Sequence, residues 1–159
     1  MPTGSTATAA DGTTFVDTNV LVYAHDARDP RKQRIARAAL TQLWDARAGI
    51  LSTQVLQEFY VVATAPHKLA MKPGQARELV ELYSTWPVVL IEPALLLNAS
   101  RLHERRSVSF WDALIVEAAR VAGAARILSE DFASGGTIDD IAFVDPFAVT
   151  VAPASPTGG

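Results

Sequence analysis

Four carboxylates in this sequence stand where their surroundings do not account for them. Asp17 closes the apolar run FVD, and Asp131 follows a second such run in ILSEDF. On a helical wheel Trp111, Leu114, Ile115, Ala118, Ala119 and Ala122 form one apolar arc, and Asp112 falls inside it, between Val116 and Ala119. Aspartate is almost never fully buried unless it is paired or bound to a metal. Glu58 flanks the stripe of Val55, Phe59 and Val62, one turn after Gln54 on the same face. Each acid also has an ordinary reading. Asp17 suits a helix N-cap, Asp131 a turn, Asp112 the far half of a capping box Ser109-x-x-Asp112, and Glu58 a solvated helical face. Taken together they point to chemistry. Carboxylates gathered in one cleft repel each other, and a cation between them makes the arrangement sensible. Oxygen ligands with no Cys or His partner suit Mg²⁺ or Mn²⁺. Such an ion contacts one or two carboxylates and leaves positions for water and a substrate phosphate. It can deprotonate the water and stabilise both oxygens of a phosphodiester displacement.

The elements that must position these acids alternate between short apolar runs and longer helical patterns. Thr13–Asp17 reads as a first strand. Asp29-Pro30 opens a long helix to about Ala48, which Gly49 ends, and Ile50–Ser52 is a short strand. Helices follow over Thr53–Ala65 and from Lys72-Pro73-Gly74 to about Trp86, then a strand over Pro87–Ile91. Pro93–Arg106 and Phe110–Ala122 read as helices, the second ended by Gly123. Arg126–Ser129 and Ile141–Val144 read as the last strands. Apolar strands separated by helices predict an α/β fold with three layers, α/β/α, around a central, mostly parallel sheet. In such a sheet ligands gather outside the carboxyl ends of the strands, where Asp17 and Asp131 fall.

Composition narrows the alternatives. The chain has 159 residues, 49% of them hydrophobic and 19% charged, and roughly 150 residues is one domain. Residues 1–12 and 148–159 read as tails, leaving one domain over 13–147. There is no Cys, which excludes a disulfide framework, a zinc–thiolate site and a cysteine nucleophile and agrees with a reducing cytoplasm. No run spans a bilayer, and the N-terminus lacks the basic and apolar regions of a signal peptide. Neither G-x-x-x-x-G-K-[ST] nor G-x-G-x-x-G occurs, and there is no G-x-S-x-G. His25, His67 and His103 are isolated and read as surface or structural. Trp44, Trp86 and Trp111 read as core residues rather than stacking platforms. Fourteen Lys and Arg against 17 Asp and Glu give a net charge of −3, so bulk positive charge cannot grip a nucleic acid. Local basic faces can: Arg28, Arg31, Lys32, Arg34 and Arg37 form one cluster and Arg101, Arg105 and Arg106 another.

The segments FVDTNVLVYA, STQVLQEFY, FWDALIVEAA and ILSEDF, in that order and spacing, resemble the PIN domain, and most of all the VapC-type toxins of bacterial toxin–antitoxin pairs. The resemblance covers about residues 13–147. It implies a metal-dependent ribonuclease that forms a homodimer and is inhibited by a cognate antitoxin. By that resemblance the catalytic and metal-binding acids are Asp17, Glu58, Asp112 and Asp131, with Mg²⁺ or Mn²⁺ as cofactor. Asn19 would orient Asp17 or a metal-bound water, and Ser129 would support Asp131. Arg101, Arg105 and Arg106 lie just before the segment carrying Asp112 and are the expected phosphate contacts. Two other functions share these residues: a PIN nuclease of RNA maturation or decay, and a PIN-like interaction module without activity. Four mutually repelling acids give the second little reason to exist.

Overall fold

The computed structural model describes residues 12–132 and 135–148. Apart from Gly12 and Ala148, the two expected tails lie outside the described residues. The elements in chain order are β1 (Thr14–Val16), α1 (Thr18–Ala24), α2 (Pro30–Ala46), β2 (Gly49–Ser52), α3 (Thr53–Thr64), α4 (Pro73–Tyr83), β3 (Val88–Val89), α5 (Pro93–Arg105), α6 (Phe110–Val121), β4 (Arg126–Leu128), β5 (Thr137–Ile138) and β6 (Ile141–Val144). The six strands form one sheet in the order β3-β2-β1-β4-β6-β5. All pairs are parallel except β5–β6.

β1 is the centre of this arrangement. From it the chain winds outward to β2 and β3, then returns past it to β4. Right-handed crossovers therefore put α1–α4 on one face of the sheet and α5 and α6 on the other. The packing follows that division: α1 lies against α2 and α3, α3 against α4, and α5 against α6. β1 and β4 run side by side, with Phe15 opposite Ile127 and Val16 opposite Leu128. The next residues after this pair are Asp17 and Ser129. The reversal of winding between β1 and β4 is the topological switch point, where open α/β sheets leave a crevice at the strands' carboxyl ends.

The local signals are capping signals. Asp29 accepts from Lys32 N ahead of Pro30, Ser52 accepts from Val55 N, and Ser109 accepts from Asp112 N. Each satisfies an amide that a helix start leaves unpaired. Strand residues and the inner faces of the helices fill one core that includes Phe15, Leu21, Phe59, Leu102, Val116 and Ile127.

Several expectations are revised. α2 ends at Ala46, and its cap is Arg47 in the left-handed conformation, with φ 53°. Gly49 is instead the first residue of β2, and a Cβ there would overlap the ring of Trp86. The strand expected over 87–91 is only Val88–Val89, because it is an edge strand and Leu90 already turns outward, 60% exposed. β5 had no sequence signal. It is joined to β6 through Asp139 and Asp140, both at positive φ, a two-residue hairpin that usually announces itself by Asn-Gly or Asp-Gly. Trp86 is a core residue, but Trp44 and Trp111 are 51% and 64% exposed. Trp111 sits on the first turn of α6, where the apolar arc runs beyond the elements that would cover it.

Gly49→Ala is expected to destabilise the fold by about 1–3 kcal/mol, the usual cost of forcing an extra carbon into a packed site. Gly74, in the first turn of α4, faces open space, and Gly74→Ala is expected to stabilise by about 0.4–1 kcal/mol. Denaturant titrations of the two variants check this; equal effects would show that Trp86 yields without cost.

Candidate functional site

Asp17 is the last residue before α1 and is only 6% exposed. Its Oδ1 accepts from Thr18 N at 2.7 Å, so the N-cap reading is correct. The other oxygen does something a cap does not need. Oδ2 accepts from Ser129 Oγ at 2.8 Å and from Asn19 Nδ2 at 3.5 Å. Asn19 Nδ2 also reaches Ser129 Oγ and Asp131 Oδ2, both at 3.1 Å. Its Oδ1 accepts from Glu130 N at 3.3 Å, and Ser129 Oγ accepts from Asp131 N at 3.1 Å. One amide side chain thus links the ends of β1 and β4. The expected supporting residues Asn19 and Ser129 are both in this network.

Glu58 comes from α3 and is half-buried. Thr18 Oγ1 donates to its Oε2 at 2.8 Å, and Gln54 Nε2 donates to its Oε1 at 3.0 Å. The same Gln54 amide reaches Trp111 O at 3.3 Å, which ties α3 to the first turn of α6. There Asp112 N donates to Ser109 Oγ at 3.0 Å. The capping half of the Ser109–Asp112 pair is therefore formed by the Asp112 backbone, and the Asp112 carboxyl bonds Ser109 as well.

The electrostatics place all four acids in one field. Burial pushes the Asp17 carboxyl up to about 6 from its ordinary 3.8, against the hydrogen bonds from Ser129 and Thr18, with Asp131 and Glu58 adding repulsion. Asp112 is also raised, by partial burial first and then by Asp131 and Glu58, against its bond to Ser109. Asp17 and Asp112 both feel Glu58 and Asp131, so the four expected acids influence one another's charge.

The donors that hold these acids are neutral. The observed ion pairs engage other acids: Arg28 with Asp26, Lys32 with Glu130, Arg105 with Asp139 and Arg120 with Glu117. A cluster of carboxylate oxygens without a basic partner fits a hard divalent cation. Among the described residues no group of three or more Asp, Glu or His is placed to hold a metal ion together. Gln54 Oε1 is buried beside Glu58 with no hydrogen-bond partner among the described residues, one more oxygen in a set made wholly of oxygens.

Two of the arginines expected at phosphate make contacts of their own. Arg101 donates to Asn98 Oδ1 at 2.8 Å, and Arg105 lies 3.9 Å from Asp139. Both line a surface hollow of about 400 Å³ with Glu104, Glu117, Arg120 and Asp139, where acids balance their charge. Arg106 is exposed. In the other cluster Arg28 pairs with Asp26, while Arg31 and Arg37 donate to the carbonyls of Phe147 and Ala24.

Three contributors were not identified from sequence. Thr18 holds Glu58. Tyr23 and Lys32 hold Glu130, through Tyr23 Oη to Glu130 Oε1 at 2.8 Å and Lys32 Nζ to Glu130 Oε2 at 2.7 Å. Glu130 lies between Ser129 and Asp131, so this pair braces the turn that carries Asp131. Only Thr18, inside the DTN segment, carried a signal. His25 is structural, as expected: its Nε2 lies 2.7 Å from Tyr83 Oη and its ring packs on Phe59.

Known proteins were then compared with this geometry. A family model described as PIN domain matches residues 14–133. No curated protein sequence matches at a significant level. Among solved structures, the Mycobacterium tuberculosis VapC20, described as a sarcin–ricin loop cleaving toxin, is 22% identical. It covers 82% of this chain and 99% of its own, with a TM-score of 0.60. A toxin–antitoxin complex from Klebsiella pneumoniae aligns at 18% identity over 86% of this chain and 100% of its own, with a TM-score of 0.63. VapBC2 from Rickettsia felis, bound to a promoter DNA fragment, aligns at 15% identity over 83% and 97%, with a TM-score of 0.59. At these identities the likeness is one of fold.

Because the folded state holds the Asp17 proton more tightly than the unfolded chain, this group's contribution to stability is present at low pH and lost as pH rises from about 4 to about 6. A shift from 3.8 to about 6 corresponds to about 3 kcal/mol. In chelator, Asp17→Asn is expected to remove most of that slope and to hold or raise the melting temperature at pH 7. Melting curves from pH 4 to 8 check it; a variant several degrees less stable at pH 7 would make Asp17 a structural residue.

Proposed function

The chain belongs to the PIN domain family, and on that premise we propose that it is a metal-dependent endoribonuclease acting as the toxin of a toxin–antitoxin pair. What supports the reading is the linkage of the acids: Ser129 and Asn19 join Asp17 to Asp131, Thr18 joins Asp17 to Glu58, and Asp112 feels Asp131 and Glu58. The proposal takes residues 13–147 as the nuclease domain. It includes a cognate antitoxin, a homodimer and a cytoplasmic location. Its support on the partner side is the Klebsiella pneumoniae structure, a toxin–antitoxin complex. Among the described residues no helix is long and apolar enough to cross a membrane.

In this reading one or two of Asp17, Glu58, Asp112 and Asp131 would hold Mg²⁺ or Mn²⁺ directly and the others through its waters, and the ion would supply an activated water and neutralise charge on the phosphodiester oxygens. The rest of the work belongs to side chains in place. Ser129 and the Thr18 amide each anchor one oxygen of Asp17, so the carboxylate cannot rotate away as its charge is drawn upon. Asn19 fixes the separation of Asp17 and Asp131 by bonding both. Thr18 and Gln54 clamp the two oxygens of Glu58. A carboxyl raised to about 6 gives up its proton readily when positive charge arrives, so cation binding is coupled to proton release.

RNA cleavage by the purified protein is expected to require Mg²⁺ or Mn²⁺, to stop in EDTA, and to fall by at least 100-fold in Asp112→Asn with the fold intact, the scale of losing a metal-centred step. Undiminished cleavage after thorough metal removal would sink the mechanism. Mapping of cleavage ends in cellular RNA after induced expression identifies the target and separates a toxin from a maturation enzyme.

The antitoxin side has its own test. A cleft of four acids is best capped by a basic side chain, and Arg pairs two carboxylate oxygens at once. Co-expression with the cognate antitoxin is expected to yield a complex without nuclease activity, with activity returning on dissociation. A complex that keeps full activity would remove the antitoxin from this proposal.

A further inference from the structure

We propose that Trp111 is a nucleobase-stacking platform on the rim of the acid cleft, gripping one unpaired base beside the reacting phosphate. The inference rests on the ribonuclease reading above and deepens it. Trp111 is 64% exposed, although a large apolar ring in water is unfavourable. Its neighbour in sequence is Asp112, and its carbonyl accepts from the same Gln54 amide that holds Glu58. The backbone that presents the indole is therefore tied to two of the four acids. The ring is also braced. Phe110, partly buried against the core, meets it edge-to-face with centroids 5.8 Å apart and an interplanar angle of 61°.

The electrostatics favour an uncharged contact here. The chain is net negative, the cleft is acidic, and Lys32, Arg28, Arg105 and Arg120 pair with acids. Stacking on an aromatic face needs no charge and accepts any base, and unpaired RNA bases are commonly held this way. The other exposed tryptophan does not compete for the role. Trp44 leans on Trp86 with centroids 6.2 Å apart, beside a hollow lined by Gly49 and Pro87. Those residues mark the beginnings of β2 and β3, the edge of the sheet opposite the acids.

The test uses Asp17→Asn as a cleavage-dead parent and a fluorescent ten-nucleotide oligoadenylate as probe, with Mg²⁺ present. Adding Trp111→Ala is expected to weaken binding about 5- to 150-fold, the range for one stacked base, while leaving the dependence of log affinity on log salt unchanged. A lost phosphate contact would instead reduce that slope by about 0.7. Trp111→Phe keeps an aromatic face and is expected to restore most of the affinity. Light scattering accompanies each measurement. Unchanged affinity in Trp111→Ala, a flattened salt slope, failure of Phe to rescue, or conversion of a dimer to a monomer would each overturn the assignment. Absence of oligoadenylate binding by the Asp17→Asn parent, together with absence of RNA cleavage by the wild type, would overturn the ribonuclease reading itself. Cleavage and binding that ignore Trp111 would overturn this inference alone.

Discussion

Burial of a carboxyl beside other acids is the constraint on which the rest of this structure depends. Asp17 is the extreme case, a carboxyl buried at the end of the central strand and pushed up to about 6. A buried carboxylate is costly unless its lone pairs are met by donors. The protein meets them with Thr18 N, Ser129 and Asn19 rather than with Lys or Arg. A basic partner would stabilise the fold more, but it would fill the place of a divalent cation. Neutral donors orient the acids and leave their charge uncompensated. The fold gives up stability at the one place where the proposed chemistry needs negative charge.

The sheet order follows from the same requirement. Asp17 and Ser129 follow adjacent parallel strands, so both side chains emerge at the switch point between β1 and β4. Glu58 arrives from the helix after β2, and Asp112 from the first turn of α6. Each is secured by a residue belonging to another element. Thr18 at the start of α1 holds Glu58, and Gln54 of α3 holds the carbonyl of Trp111. These crossing bonds make the cleft a property of the packed assembly. No single element contains two of the four acids.

The arginines show how a packed structure reassigns charge. In sequence, Arg101, Arg105 and Arg106 form a positive cluster just ahead of Asp112. In the fold, Arg105 faces Asp139 of the β5–β6 turn, and Arg101 lies with Glu104 and Glu117 around one hollow. A run of like charge says little about the local field, because acids distant in the chain can sit beside it. This redistribution turns attention from charge to the exposed indole at the cleft rim as a contact for RNA.

The alternation of strand and helix, the parallel sheet and the placing of Asp17 and Asp131 after two of its strands were legible in the sequence. Burial is encoded locally: an apolar run or a helical stripe tells which face turns inward, and an acid that breaks such a pattern is visible from its neighbours alone. Capping was legible for the same reason at Asp17, Asp29 and Ser109, which act within three residues. What only the tertiary structure decided is pairing and exposure. The bond from Asn19 to Asp131 spans 112 positions and that from Thr18 to Glu58 spans 40; both depend on how the elements pack. Trp111 occupied an apolar arc in sequence but is mostly exposed in the fold, because among the described residues no element covers that side of the first turn of α6. Gly49 marked a helix end in sequence, whereas the structure places it against Trp86, 37 residues away in the chain. Hydrophobic period specifies which side of an element is buried, and only the packing of the elements specifies against what.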